Sequence, residues 1–156
     1  MRPDDRYDSL FQFYGEKHSV DWLRLKAQTK QESRFDPNAV NPRTHAKGLS
    51  QFMERTWEEW RDGTVGIQPP PAVDLVLLDP RDPEDAINAQ AAYMSWLLGL
   101  LRDDWELALA AYNWGIGNLH QLLLRHGADW KEHLPAETRG YIDAINNYYI
   151  EYRKES

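Results

Sequence analysis

Apolar residues recur along the chain at spacings of three and four, the period of helices that bury one face, and no run of strand length alternates apolar with polar. Tyr7, Leu10, Phe11 and Tyr14 form the first such stripe, with Asp4 or Asp5 as its cap and Gly15 as its stop. A second helix opens at Asp21, placed before Trp22 as a cap is, and runs through Leu25 and Thr29 to Glu32. It ends near Phe35, because Pro37 disfavours helical geometry at Asp36. Residues 36 to 47, with Pro37, Asn38, Asn41 and Pro42, read as a structured loop. Short helical pieces are expected over Gly48 to Met53 and over Thr56 to Trp60, the second capped by Thr56. Asp62 to Pro83, with Gly63, Gly66 and three prolines from Pro69, reads as one long loop. The longest helix, and the centre of the core, is expected from about Pro83 to Leu101, where Ile87, Ala91, Met94, Leu98 and Leu101 keep helical spacing. Asp103 and Glu106 have the form of a capping box for the next helix, which reaches Asn113 before Gly115 and Gly117 break it. Leu119, Leu122 and Leu123 mark a further helix. A last one starts near Pro135 and carries Tyr141, Ile142, Ile145, Tyr148, Tyr149 and Tyr152. These elements define an all-α fold.

Composition narrows what such a fold can do. The 156 residues suit one domain spanning 1–156, and apolar and charged shares of 42% and 28% are those of a soluble globular protein. A net charge of −7 with no basic run excludes nucleic acid as the main partner. Cysteine is absent, which removes thiol chemistry and cysteine-based zinc sites. The five histidines lack zinc-binding spacing, and neither a phosphate-cradling glycine loop nor a nucleophile elbow occurs, so no metal and no cofactor are expected. The longest uncharged stretch, Ala86 to Leu101, is too short and too polar to span a membrane, and the N-terminal residues lack the pattern of a signal peptide. Seven Trp and eight Tyr exceed what a helical core needs. Most are core, but aromatic rings are also the surfaces on which sugars stack.

Glu32 is the residue that stands out. It follows Trp22 by ten positions, Leu25 by seven and Thr29 by three, which places it on the inward face of its helix. It also lies in the last turn, where the helix dipole disfavours negative charge, and partial burial acts in the same direction. Both raise its pKa, as a general acid at neutral pH requires. Position alone still favours a solvated helix-end glutamate, since Glu is rarely buried.

The surrounding motifs shift that balance. Glu32-Ser33-Arg34-Phe35-Asp36-Pro37-Asn38-Ala39, continued by Gly48-Leu49-Ser50-Gln51-Phe52-Met53 and Thr56-Trp57, resembles the signature of the soluble lytic transglycosylase (SLT) family. Ala110-Ala111-Tyr112-Asn113-Trp114-Gly115-Ile116-Gly117 and Glu137-Thr138-Arg139-Gly140-Tyr141-Ile142 resemble two further motifs of that family, in the same order, and the likeness covers about residues 18 to 150. It implies a lysozyme-like, goose-type helical fold with a glycan groove, Glu32 as catalytic acid and base, and Gln51 with the backbone around Phe52 and Met53 along the groove. It further implies that Tyr112 hydrogen-bonds or orients the carboxyl, Asn113 shapes the site, Tyr141 closes it, and Asn41 and Gly48 contribute to substrate binding.

The sequence departs from the family at several of these positions. Asn41 stands where the family has Ser, one extra residue precedes Gly48, His45 replaces a Gly, Ser50 replaces a Met, and Trp114 replaces a small residue. No second carboxylate is evident; Asp36 and Glu54 lie beside the motif and read as solvated. The implied reaction is therefore transglycosylation with one carboxyl, the substrate's acetamido group and C6 hydroxyl supplying the rest, with no water consumed. Two alternatives stand beside it: hydrolysis of the same bond, as in goose-type lysozymes, and an inactive glycan-binding module. The implied partner is peptidoglycan glycan, met as a monomer. A bacteriophage endolysin or virion component is the expected source, because the N-terminus carries no export signal.

Overall fold

The computed structural model describes residues 2–63, 66–70 and 78–156. Among these, seven α-helices form: α1 (Asp8–His18), α2 (Trp22–Ser33), α3 (Glu54–Asp62), α4 (Pro83–Leu100), α5 (Trp105–Trp114), α6 (Ile116–His126) and α7 (Ala136–Glu155). Short 3₁₀ turns cover Pro3–Asp5 and Gly127–His133. No strand forms among the described residues; Lys47 makes isolated antiparallel bridges to Val40 and Phe52. None of the described helices is long and apolar enough to cross a membrane.

The all-α expectation holds, and α4 is the central element for the reason its sequence suggests. Alanines 86, 89, 91 and 92 are buried on several of its faces alongside Ile87, Met94 and Leu97, so α1, α3 and α5 can approach its backbone closely. It is not the longest helix: α7, with twenty residues against eighteen, lies along α2. Among the described residues, two adjoining apolar clusters result. The larger centres on Phe11, Leu25, Met94, Leu109 and Ile142, and the smaller gathers Phe52, Trp57, Trp60 and Ile67. In the smaller cluster the rings of Trp57 and Trp60 stand 4.9 Å apart, tilted by 54°.

Helix ends explain most departures from the sequence pattern. Asp21 does cap α2, accepting from the Leu23 amide at 3.0 Å. Asp4 and Asp5 cap nothing. They sit in the first 3₁₀ turn and bind Lys30 and Lys26 of α2 at 3.0 and 2.8 Å. Gly15 does not stop α1, which runs on to His18; a Cβ there would lie 2.8 Å from the Val20 carbonyl, so the glycine serves close chain approach. Residues 48–53 form turns rather than a helix. Helix α3 begins at Glu54, which places Thr56 inside it. Asp104, not Asp103, caps α5 through the Leu107 amide at 3.0 Å, while Asp103 takes a left-handed conformation, φ 61°. Gly115, φ 101°, separates α5 from α6, and Gly117 is helical. Part of the loop expected between Asp62 and Pro83 lies outside the described residues.

Candidate active site

Helix α2 delivers Glu32 in its last turn, and the chain then leaves abruptly through Arg34 and Phe35, both at positive φ (53° and 63°). That turn lets the 36–53 loop fold back, and Ser33 Oγ holds it by donating to the Leu49 carbonyl at 2.8 Å. The end of α2, this loop, the C-terminus of α5 and the first turns of α7 enclose an open cleft of about 560 Å³, with Glu32 in its wall.

Glu32 is half-buried as a residue, and its carboxyl receives a hydrogen bond from Tyr141 Oη to Oε2 at 2.8 Å. Burial pushes its pKa up to about 8, while the Tyr141 bond acts in the opposite direction by favouring the charged form. The hydroxyls of Tyr112 and Tyr141 are held well above the ordinary tyrosine value, first by burial and then by the nearby Glu32 charge. Both therefore remain hydrogen-bond donors throughout the neutral range.

Seven of the residues that the resemblance assigns to the site line the cleft: Glu32, Asn41, Gln51, Met53, Tyr112, Asn113 and Tyr141. Their local bonding differs from expectation in one case that matters. Tyr112 does not hydrogen-bond the carboxyl; its hydroxyl donates to the Ser50 carbonyl at 2.7 Å, and Tyr141 makes the bond to Glu32 instead. Asn113 Oδ1 accepts from Thr138 Oγ1 at 2.9 Å, linking α5 to α7. Asn41 Oδ1 accepts from the amides of Arg43 and Thr44 at 2.9 and 3.1 Å, so its side chain builds a turn. Gln51 Nε2 donates to the carbonyls of Ala39 and Gly48, bracing the loop.

Gly48 and Phe52 do not border this cleft. Gly48 has φ 80°, and a Cβ on it would lie 1.8 Å from the Pro80 carbonyl, so only glycine fits. Phe52 is buried and packs edge-on against Trp57 at 5.7 Å and Tyr93 at 6.2 Å. It also forms part of an adjoining groove that shares Thr44 and Met53 with the cleft.

Neither Asp36 nor Glu54 reaches the cleft. Asp36 is exposed and accepts from the Asn38 amide at 2.9 Å; Glu54 is exposed at the start of α3. Among the described residues, the second carboxylate that does border it is Glu137, which lies 3.4 Å from Arg43 at the mouth. Sequence reasoning passed over this pair, because the two residues lie 94 positions apart and meet only once α7 packs beside the 36–53 loop. Trp114, singled out as a departure from the family, stands half-buried at the edge of the cleft.

An all-helical frame that holds one enclosed glutamic acid in the wall of an open polar cleft places the molecule among the lysozyme-like proteins. More narrowly, residues 9–134 match the model of the transglycosylase SLT domain, and the chain belongs to that family. It is 32% identical to the membrane-bound lytic murein transglycosylase F of Pasteurella multocida over 160 residues, covering 92% of this chain and 29% of that protein. The corresponding protein 1 of Alkalilimnicola ehrlichii is likewise 32% identical, over 161 residues, with the same coverage. Among solved structures, an inactive mutant of the lytic transglycosylase Slt from Pseudomonas aeruginosa superposes with a TM-score of 0.81 at 27% identity, covering 97% of this chain and 24% of that one. The 70-kDa soluble lytic transglycosylase of Escherichia coli gives 0.81 at 26% identity, covering 96% and 24%. The chain thus spans less than a third of the length of these relatives.

Proposed function

We propose that this chain cleaves the MurNAc-β-1,4-GlcNAc bond of peptidoglycan as a lytic transglycosylase, with Glu32 as its single acid and base. The observation that carries the reading is the enclosed Glu32 carboxyl, lifted to about 8 and open to a cleft of about 560 Å³. At neutral pH it holds a proton to give to the bridging oxygen. As that bond breaks, the acetamido group of the same muramic residue stabilises the cationic carbon. The ionised Glu32 then takes the proton of the C6 hydroxyl, whose oxygen closes a 1,6-anhydro ring, and the acid is restored without water. Asn41, Gln51, Met53, Tyr112 and Asn113 supply the polar and apolar wall against the glycan, and Tyr141 steadies the carboxyl. The names of the related proteins support the same chemistry.

Hydrolysis is the second reading, and Glu137 is the observation in its favour, since glycosidases commonly pair two carboxyl groups. Its engagement with Arg43 at the mouth argues for a structural part in the rim. Digestion of purified sacculi followed by mass spectrometry separates the outcomes: 1,6-anhydro ends support the proposal, reducing ends indicate hydrolysis, and no release indicates glycan binding alone. Peptidoglycan glycan is the target that each of these readings assigns to the cleft. The bacteriophage origin expected from the N-terminal residues gains no support from the relatives named above, which are bacterial.

A further inference from the structure

A chain of buried side-chain amides runs from the centre of the fold to the carboxyl. Gln90 of α4, fully buried, donates through Nε2 to the Leu25 carbonyl at 3.2 Å and to Gln28 Oε1 at 2.9 Å. Its Oε1 accepts from Thr29 Oγ1 at 2.9 Å and lies 3.2 Å from Ser50 Oγ, which also donates to the Ala86 carbonyl at 2.9 Å. Gln28 of α2, also fully buried, donates through Nε2 to Tyr141 Oη at 3.2 Å, with Met94 Sδ 3.7 Å away. Tyr141 Oη then donates to Glu32 Oε2. None of Gln28, Thr29, Ser50 and Gln90 borders the cleft, so none touches a glycan held there.

The direction of every bond is fixed from one end. A backbone carbonyl only accepts, so Leu25 O draws the nitrogen of Gln90 toward it. That nitrogen also faces Gln28, which must present its oxygen in return and turn its own nitrogen to Tyr141. An amide N–H only donates. The tyrosine oxygen is therefore the acceptor in that contact, and its single hydrogen is left for Glu32.

We propose that Gln28 and Gln90 are positioning residues that lock Tyr141 as a donor to Oε2 of Glu32, confining the acid's proton to Oε1. The inference rests on the reading of Glu32 as the acid. Without such a lock, a neutral carboxyl can meet Tyr141 in two ways, by accepting at Oε2 or by donating its own proton to Oη. The second arrangement aims the proton into the protein, where it is lost to catalysis. With the relay in place it would leave the tyrosine hydrogen buried without an acceptor, a costly state in a dry interior. Ser50, which stands where the family pattern has a methionine, adds a hydroxyl beside Gln90 that a thioether could not supply. Among the described residues, the titratable and charged groups around Glu32 are Tyr141 of α7, Tyr112 of α5 and the Arg43–Glu137 pair at the mouth.

Gln28→Met removes the amide while keeping the length of the side chain. With the chain labelled at the Glu carboxyl carbons and Glu32 assigned by comparison with Glu32→Gln, NMR titration should show the Glu32 midpoint moving upward by about one pH unit in this variant, because the neutral acid gains a partner. The kcat on sacculi should fall about tenfold with KM unchanged. Both effects should vanish in a Tyr141→Phe background. An unmoved midpoint, or an equal loss of kcat in that background, overturns the proposal. Should Gln28→Met fail to fold, the unmodified chain serves: the side-chain amide nitrogens of Gln28 and Gln90 should titrate with the Glu32 midpoint and lose that response in Glu32→Gln, and amides that do not respond overturn the relay. The carboxyl titration needs no glycan. Linked midpoints in a chain that cuts no peptidoglycan would therefore refute the proposed function and leave the relay standing.

Discussion

Replacing the acid should make the protein sturdier in alkali while abolishing its activity. Folding lifts the Glu32 carboxyl from its ordinary value of 4.5 to about 8, so between those limits the folded chain binds a proton that the unfolded chain has released. The stability this group contributes is fully present below 4.5, declines as pH rises, and is gone above about 8. Each pH unit in that window is worth at most about 1.4 kcal/mol, which sets a ceiling of about 5 kcal/mol for the whole of it. The carboxyl keeps partial solvent contact and the interior relaxes around a charge, so about 2 kcal/mol is the expected loss. Glu32→Gln cannot ionise and still accepts the Tyr141 hydrogen bond, so it removes the slope without removing the contact. Thermal unfolding followed by circular dichroism at pH 5, 7 and 9 should show the gap between variant and parent widening with pH. By pH 9 it should have grown by about 4–8 °C in favour of the variant. Parallel curves for the two proteins would mean that Glu32 is not enclosed enough to hold its proton, and the acid role would go with it.

Three further outcomes follow from contacts already described. Tyr141→Phe removes the bond to Glu32 Oε2 and leaves Gln28 Nε2 without its oxygen acceptor; the alkaline limb of the activity profile should move to higher pH, and urea unfolding should register a loss of about 1–3 kcal/mol. Gly48→Ala forces a Cβ into the Pro80 carbonyl at a left-handed φ, and denaturant titration should show a loss of about 3 kcal/mol or more. Arg43→Ala breaks only an exposed ion pair, so stability should change by less than about 1 kcal/mol, while the KM for glycan strands rises because the rim of the cleft is opened.

Much of this architecture is legible in the amino-acid sequence. Spacing alone put Glu32 on an inward helical face and Asp21 at the cap of its helix, because both features are local. What depends on how helices dock was not legible. Tyr112 and Tyr141 each sit on a helix facing the acid, and which hydroxyl reaches the carboxyl is settled by the positions of α5 and α7 relative to α2. The tyrosine on α7 has that contact, and the one on α5 ties down the Ser50 carbonyl. The resemblance makes Gly48 a groove residue, although its absent side chain answers to Pro80, 32 positions on. The choice between Asp103 and Asp104 as cap turns on two consecutive left-handed residues, Arg102 and Asp103, that two adjacent aspartates cannot announce. Gln28 and Gln90 left a faint trace, as polar residues on helical faces that otherwise read apolar. A rule that every such residue needs a named partner would have pointed to the relay.

The tryptophans give the molecule two optical signals that respond to different events. The close, tilted indoles of Trp57 and Trp60 are arranged for exciton coupling of their strong far-ultraviolet transitions, and the dichroism they produce depends on the frame staying folded. Trp114 stands where a bound saccharide would displace water from its ring, so its emission should follow occupancy of the cleft. One unlabelled sample in one cuvette can then distinguish a variant that grips sugar without cutting it from a variant that has lost its shape.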